Sequence, residues 1–130
     1  MSLDDAFDQV AEFHRAFGHP VKERPAFLPS PRSDARVAWM REEVDEFVES
    51  TNVVDQADAM IDLIYFAIGT LVEMGVRPEK LFDIVHAANM TKLWPDGKPR
   101  FRDDGKTVKP PSWIDPHDAL RAEIERQARK

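Results

Sequence analysis

The sequence contains no cysteine, which excludes disulfides, zinc–thiolate sites, iron–sulfur clusters and a cysteine nucleophile. It also lacks an excess of positive charge, because 18 Lys and Arg residues stand against 24 Asp and Glu residues, for a formal net charge of -6. Such a surface repels a nucleic acid backbone. We therefore expect no polymeric DNA or RNA partner, although a single nucleotide needs only a local basic patch.

Long hydrophobic runs are missing as well. The longest apolar stretch, residues 57–72, is interrupted by Asp58, Asp62 and Gly69, and the N-terminal residues are acidic rather than basic and apolar. We expect no membrane segment and no signal peptide. Together with the absence of cysteine, this predicts a cytoplasmic protein. A length of 130 residues suits one domain, residues 1–130, with its own core.

Apolar residues recur at spacings of three and four, which predicts an all-α fold, a helical bundle of about five helices. The first helix contains Leu3 and ends at Gly18, and the second is capped by Ser33 or Asp34. The later predicted helices cover residues 53–74, 78–92 and 115–130. Between the last two, residues 93–114 carry two Asp-Gly turn signals and are expected to form a surface tail with a short hairpin.

The third predicted helix is apolar on nearly every side, which is typical of a helix that is buried all round. One chain of this length can barely enclose it. A homodimer in which two copies of the second and third helices complete a four-helix core is the simpler solution, and a dimer of dimers is also open. The alternative is a monomer with this helix at its centre.

Acidic residues interrupt these apolar helices. On the second helix Glu43 lies beside the apolar stripe, with Glu46 one turn further along. On the third, Asp58 and Asp62 share a face. A buried unpaired carboxylate costs several kcal/mol or takes up a proton, and a divalent cation removes that cost. These acids therefore predict a Mg²⁺ site between the two helices.

Some of the acids have a simpler interpretation. Glu42 and Glu49 fit a solvated helix face at least as well as a binding role, and Asp55 is balanced between the two interpretations. Asp62 is different, because Ile61, Leu63 and Ile64 flank it and no basic residue lies one turn away on its helix.

The segments EEVDE at 42–46 and DAMIDLIYFAIGTLVEMG at 58–75 resemble the MazG-like all-α nucleoside triphosphate pyrophosphohydrolases, which include dimeric dUTPases and phosphoribosyl-ATP pyrophosphohydrolase. FHRAFG at 13–18, VHAANMTK at 85–92 and DGKTVKPPSW at 104–113 extend the resemblance to an all-α dUTPase-like subgroup. The family pattern is E-x-x-D on the second of its two acidic helices. This chain departs from it, because Ala59 stands where the family has Glu.

The resemblance implies hydrolysis between the α- and β-phosphates of a nucleoside triphosphate, giving a monophosphate and pyrophosphate. It implies Mg²⁺, with Mn²⁺ as a substitute, held by Glu43, Glu46 and Asp62 with Asp58 in place of the missing Glu. An alternative register pairs Asp55 with Asp58 as the acidic motif, which leaves the identity of the fourth ligand open. Glu42 is then expected to orient water or act as general base together with Glu43. Nucleotide-pool cleaning of dUTP or another triphosphate follows from the subgroup.

Substrate contacts are expected from two further groups. Residues 92–109 carry six basic and three acidic side chains, a local excess of +3, which indicates phosphate contact. The residues that we expect to contact phosphate are Asn89, Lys92, Lys106 and Lys109. The candidates for an apolar slot that takes the base are His14, Trp39 and Tyr65, with a satisfied core histidine as the commoner interpretation of His14.

Two alternatives stay open. Ala59 is the feature that favours a helical dimerisation or nucleotide-binding module that has lost catalysis. The phosphoribosyl-ATP enzyme is the other alternative, although the basic tail and the FHRAFG segment argue against it.

Overall fold

The structure is a computed structural model that describes residues 1–130, and it contains five α-helices and no extended strands. They are α1 (Leu3–Phe17), α2 (Arg32–Glu49), α3 (Val53–Met74), α4 (Glu79–Met90) and α5 (His117–Ala128). The all-α fold class and the five helices are thus confirmed. The chain divides into two units, residues 1–78 with residue 130, and residues 79–129. A single domain over 1–130 stays a prediction.

The helix ends follow local chemistry in most places. In a capping box, Ser2 Oγ accepts the Asp5 N–H at 3.0 Å and the Asp5 carboxylate accepts the Ser2 N–H at 2.9 Å. Gly18 and Gly75 end α1 and α3 in the left-handed region, at φ 75° and 69°. The cap predicted at Ser33 or Asp34 is wrong. Helix α2 begins at Arg32, after a proline whose fixed φ starts the first turn without a side-chain cap.

In the first unit, α3 packs against both α1 and α2. The contact between α1 and α3 is an apolar core of five buried residues: Phe7, Val10, Ala11, Ile68 and Val72. The contact between α2 and α3 is different, because the buried residues of α2 are Arg36 and Glu43. The apolar stripe of α2 is largely outside this core, with Val44 45 % and Val48 75 % exposed.

A buried ionic network joins α2 to α3. Glu73 is fully buried, and its carboxylate accepts hydrogen bonds from Arg32 Nε at 2.7 Å and from Arg36 Nη1 at 3.0 Å. Arg36 Nη2 also donates to the Phe66 carbonyl at 2.7 Å. Gly69 lies against the network, since a Cβ there would overlap the Arg36 guanidinium. The ion pairs of Arg32 and Arg36 with Glu73 therefore fix the register of α2 against α3.

In the second unit, α4 packs against α5, and the segment between them forms the predicted short hairpin. An antiparallel bridge joins Phe101 to Thr107. Gly105, at φ 85°, closes the turn, and the indole N–H of Trp94 donates to the Val108 carbonyl at 3.1 Å. No single helix of the chain is long and apolar enough to cross a membrane, and only α3 and α4 taken together as a bent pair reach that length and composition.

Candidate metal centre

Three carboxylates meet where α2 faces α3. Glu43 and Glu46, one turn apart on α2, and Asp62 on α3 each place a carboxylate oxygen within 4.8 Å of the other two. The sequence predicted all three as ligands, and the structure brings them together. Helix periodicity places Glu43 and Glu46 on one side of α2, and the packing of α3 against α2 brings Asp62 to them.

Glu43 is the buried member of this triad. Its Oε2 atom is inaccessible to solvent and has no hydrogen-bond partner. Burial raises the pKa of Glu43 to about 7, with further contributions from hydrogen bonding to Glu46 and from the charges of Glu46, Asp62 and Asp58. The pKa of Asp62 is also raised, first by burial and then by Asp58 and Glu46. The fold thus holds acids together at a cost that a bound cation would remove.

The donor set fits a hard divalent cation. All three side chains offer oxygen, the ligand that Mg²⁺ prefers, and no nitrogen or sulfur ligand stands among them. The buried Glu43 Oε2 atom has no hydrogen-bond partner, and a bound cation would supply the contact that it lacks. The residues present therefore fit a site for a divalent metal ion.

A second acidic feature adjoins the triad. A cavity of about 240 Å³ is lined by Glu46, Glu49, Ser50, Asp55 and Asp58. Glu46 belongs to both features. Asp58 lies outside the triad, yet its charge contributes to the raised pKa values of Glu43 and Asp62. Ala59, where the family has Glu, is 1 % exposed and so is closed to substrate and water.

Glu42 is exposed on α2 and stands outside the triad. A role for it in orienting water or as general base stays a prediction.

An aromatic cluster occupies another part of the first unit. The Arg32 and Arg36 guanidinium groups lie 5.0 and 5.3 Å from the centre of the Trp39 ring. Tyr65 meets Phe13 edge to face with ring centres 5.7 Å apart, and burial followed by the charge of Glu12 raises its pKa. Two of the three predicted base contacts, Trp39 and Tyr65, thus lie among aromatic neighbours.

His14, the third predicted base contact, is 2 % exposed. Its Nδ1 lies 2.9 Å from the Pro20 carbonyl oxygen and 4.0 Å from the Glu73 carboxylate. Burial is the largest cause of a lowered His14 pKa. This is the environment of a satisfied core histidine, and a base-contact role stays a prediction.

Sequence reasoning missed His19 and the network of Arg32, Arg36 and Glu73. His19 stacks on Phe13 with ring centres 6.0 Å apart and meets Trp39 edge to face at 6.3 Å. It follows Gly18, so no helical periodicity reaches it. In the ionic network, Glu73 follows Arg32 by 41 positions and Arg36 by 37 positions in the sequence. No local sequence pattern operates over such a separation.

The predicted phosphate contacts lie in the second unit. Lys92, Lys106 and Lys109 line a cavity of about 360 Å³ together with Arg102, Thr107, Val108 and Trp113. Asn89 is exposed on α4 and is not among the lining residues. Arg102, which was not among the predicted phosphate contacts, joins the three lysines.

Comparisons with known proteins identify the family of this chain. The family model for phosphoribosyl-ATP pyrophosphohydrolase matches residues 10–89, which include the whole triad. No curated protein matches the chain. Among solved structures, a candidate NTP pyrophosphohydrolase from Exiguobacterium sp. 255-15 is similar, with 32 % identity over 95 % of this chain and 96 % of that one and a TM-score of 0.53. The chain therefore belongs to the phosphoribosyl-ATP pyrophosphohydrolase family of MazG-like all-α enzymes and is a hydrolase of phosphoric anhydrides.

Proposed function

We propose that this chain is a magnesium-dependent nucleoside triphosphate pyrophosphohydrolase that cleaves between the α- and β-phosphates to release pyrophosphate. The observation that carries the proposal is the triad of Glu43, Glu46 and Asp62, in which a buried Glu43 oxygen has no partner. An acidic centre repels the negative charges of a triphosphate, so this triad can take part in its hydrolysis only when a cation offsets its own charge.

The residues take the following roles. Glu43, Glu46 and Asp62 hold the ion, and Asp58 completes the set in place of the glutamate that is absent at position 59. When bound, the metal neutralises charge on phosphate oxygens and lowers the pKa of a bound water. In this proposal Glu42, which is exposed and precedes Glu43, accepts a proton from that water.

Pyrophosphate release from a panel of nucleoside triphosphates tests this proposal. We expect turnover with Mg²⁺ or Mn²⁺ and none with a chelator. Asp62→Asn should lower turnover by more than about 100-fold, because a direct ligand matters at least as much as the partners that orient ligands. Asp45→Asn, an exposed acid on the same helix outside the triad, is the matched control.

The panel also separates the candidate substrates. The subgroup resemblance favours dUTP, whereas the matching family model favours phosphoribosyl-ATP. Exclusive turnover of phosphoribosyl-ATP would assign the chain to that reaction. An absence of turnover on every substrate, together with no divalent-ion binding by calorimetry, would favour the nucleotide-binding module.

The fourth ligand has its own test. Asp58→Asn should weaken metal binding while Glu49→Gln, which changes an acid lining the same cavity, should not. Equal effects of both changes would mean that the cavity acts only through its overall charge and that Asp58 is no ligand.

The predicted contacts with the base are part of the same proposal. Trp39 and Tyr65 offer flat apolar surface next to polar groups, as a base slot requires. Trp39→Leu should raise KM more than it lowers kcat. His14 supports the slot from the core, where its own substitution should chiefly change stability.

We also propose that the enzyme is a cytoplasmic homodimer or dimer of dimers. Exposed apolar side chains on α2 and α3 support the assembly, including Val48 at 75 %, Ile61 at 60 % and Ile64 at 50 %. Light scattering should give a mass of at least twice 14.9 kDa. Ile61→Glu should shift that mass toward the monomer, because a charge in an apolar contact is costly.

A further inference from the structure

The cavity in the second unit has the composition of an anion site. Its lining contains four basic side chains and no acid: Lys92, Arg102, Lys106 and Lys109. A single aromatic residue, Trp113, completes it, and at about 360 Å³ the cavity falls in the range of small-molecule sites. We call it the basic pocket. In a chain whose net charge is -6, such a concentration of cations needs an explanation.

Backbone hydrogen bonds hold the lining residues in place. The Arg102 N–H donates to the Lys106 carbonyl at 2.9 Å, and the Val108 N–H donates to the Arg100 carbonyl at 2.8 Å. The Trp113 N–H donates to the Pro110 carbonyl at 3.0 Å. The cationic side chains therefore extend from an ordered hairpin, so little conformational entropy of the backbone is lost when they bind an anion.

Neighbouring acids cancel part of this charge. Asp104 forms a bidentate ion pair with Arg102, and Lys109 contributes to the lowered pKa of Asp115, which the hydrogen bonds from His117 lower most. Lys92 and Lys106 have no such partner among the ion pairs of the structure. A net positive charge therefore remains in the basic pocket.

Trp113 adds a second observation. Lys109 Nζ lies 4.1 Å from the centre of its ring, so the ring holds that ammonium group at the pocket wall. The indole Nε1 of Trp113 is buried and donates to no acceptor. A buried donor without an acceptor costs roughly 1–3 kcal/mol. This unsatisfied donor belongs to a residue that lines the basic pocket.

We propose that the basic pocket binds the phosphate groups of a polyphosphate anion, either pyrophosphate or the tail of a nucleoside triphosphate, and that Arg102 and Trp113 belong to this site with the three lysines. The choice of a polyphosphate over other anions rests on the proposed function. The pocket needs no metal, because its own side chains supply the positive charge.

Calorimetric titration of the full chain with sodium pyrophosphate in the presence of a chelator tests the inference. Without metal the acidic triad repels the anion, so any binding reports on the basic pocket. We expect saturable binding that weakens as salt is added. Lys106→Ala and Arg102→Gln should each weaken it by about tenfold, because each removes a charge-assisted contact.

Lys98→Ala is the matched control, since Lys98 lies in the same segment but outside the pocket lining. It should leave the affinity unchanged. Orthophosphate should bind more weakly than pyrophosphate, because it meets fewer of the four cations. Triphosphate should bind at least as tightly as pyrophosphate, which separates substrate-tail binding from a preference for the product. Circular dichroism should show the same helix content in all variants.

Three results would overturn the inference: no pyrophosphate binding without metal, an equal loss in Lys98→Ala, or equal affinities for orthophosphate and pyrophosphate. These results are independent of the proposed function. An enzyme that releases pyrophosphate with Mg²⁺ but binds none without it would keep its function and lose this site. Metal-free binding of pyrophosphate without turnover on any substrate would support the basic pocket and refute the proposed function.

Discussion

Replacing Glu43 by glutamine should stabilise the metal-free protein at high pH while removing its stabilisation by metal. Glutamine keeps the shape of the side chain and removes the charge. Because the Glu43 Oε2 atom is buried without a partner and faces two other acids, its ionised form is unfavourable in the folded state. The same charge is what a divalent ion needs. One substitution should therefore have opposite effects with and without metal.

The pH dependence follows from the raised pKa of Glu43. The folded protein holds this proton up to pH about 7, whereas the unfolded chain releases it near 4.5. Between these values the unfolded state binds fewer protons, so stability falls as pH rises and levels off above pH 7. The difference corresponds to about 3 kcal/mol at most, since each pH unit is worth about 1.4 kcal/mol. Relaxation and water near the site reduce this figure.

Urea denaturation in a chelator measures the effect. Near pH 4, below both pKa values, Glu43 is protonated in the folded and the unfolded states, and the variant and the parent protein should be about equally stable. Near pH 8, Glu43→Gln should be more stable by about 1–3 kcal/mol. Added Mg²⁺ should stabilise the parent protein and leave the variant unchanged. Asp45→Asn, on the same helix but exposed, controls for a general effect of removing negative charge.

A less stable Glu43→Gln protein near pH 8 would refute this reasoning. It would mean that the carboxylate makes favourable contacts in the folded protein and that the triad is a structural cluster. A stability gain that is the same near pH 4 and pH 8 would also contradict it, because the gain would then not come from ionisation.

Three further changes probe the frame around the site. Glu73→Gln should destabilise the protein by about 3–5 kcal/mol in urea, because it leaves two arginines without their buried carboxylate; a loss below 1 kcal/mol would show that water replaces it. Gly69→Ala should cost about 1–3 kcal/mol, since its Cβ would overlap the Arg36 guanidinium and lie 2.9 Å from His14 Nε2; an unchanged melting temperature would contradict that packing. Ser2→Ala should cost about 1 kcal/mol through loss of the capping box, and Ser112→Ala, outside any helix, serves as its control.

The helices could be predicted because their signals are local. Gly18 ends α1, and Asn52 and Gly75 bound α3, each through contacts within one turn of the helix end. The N-cap of α2 was misplaced by two or three residues because Ser and Asp are common caps, yet here a proline precedes the helix. The acidic triad was predictable for the same reason, since its spacing on α2 and the burial of α3 can be read along the chain.

The side of α2 that packs against α3 could not be predicted in this way. Its apolar stripe indicated a buried face containing Val44 and Val48, but within one chain the buried residues are Arg36 and Glu43. Hydrophobic periodicity assumes that polar groups face water. That assumption fails where a buried charge has a partner, and the partner of Arg36 is 37 residues away. The unused apolar face is the physical basis for proposing a second copy of the chain.

Arg36 and Glu43 also show why the metal centre lies where it does. They are seven residues apart on α2, two turns of helix, so they point to the same side and both are buried against α3. At one end of this seam, the Arg36 charge is balanced by Glu73 at 3.0 Å. At the other end, Glu43 meets Glu46 and Asp62, which have the same sign. At the first end, α3 supplies Glu73 to a positively charged residue of α2, so the charges offset each other. At the other end, α3 supplies Asp62 to two acids of α2, and a bound cation would offset their charge. The ion pairs at the first end fix the register of the two helices, and that register brings Glu43, Glu46 and Asp62 together at the other end.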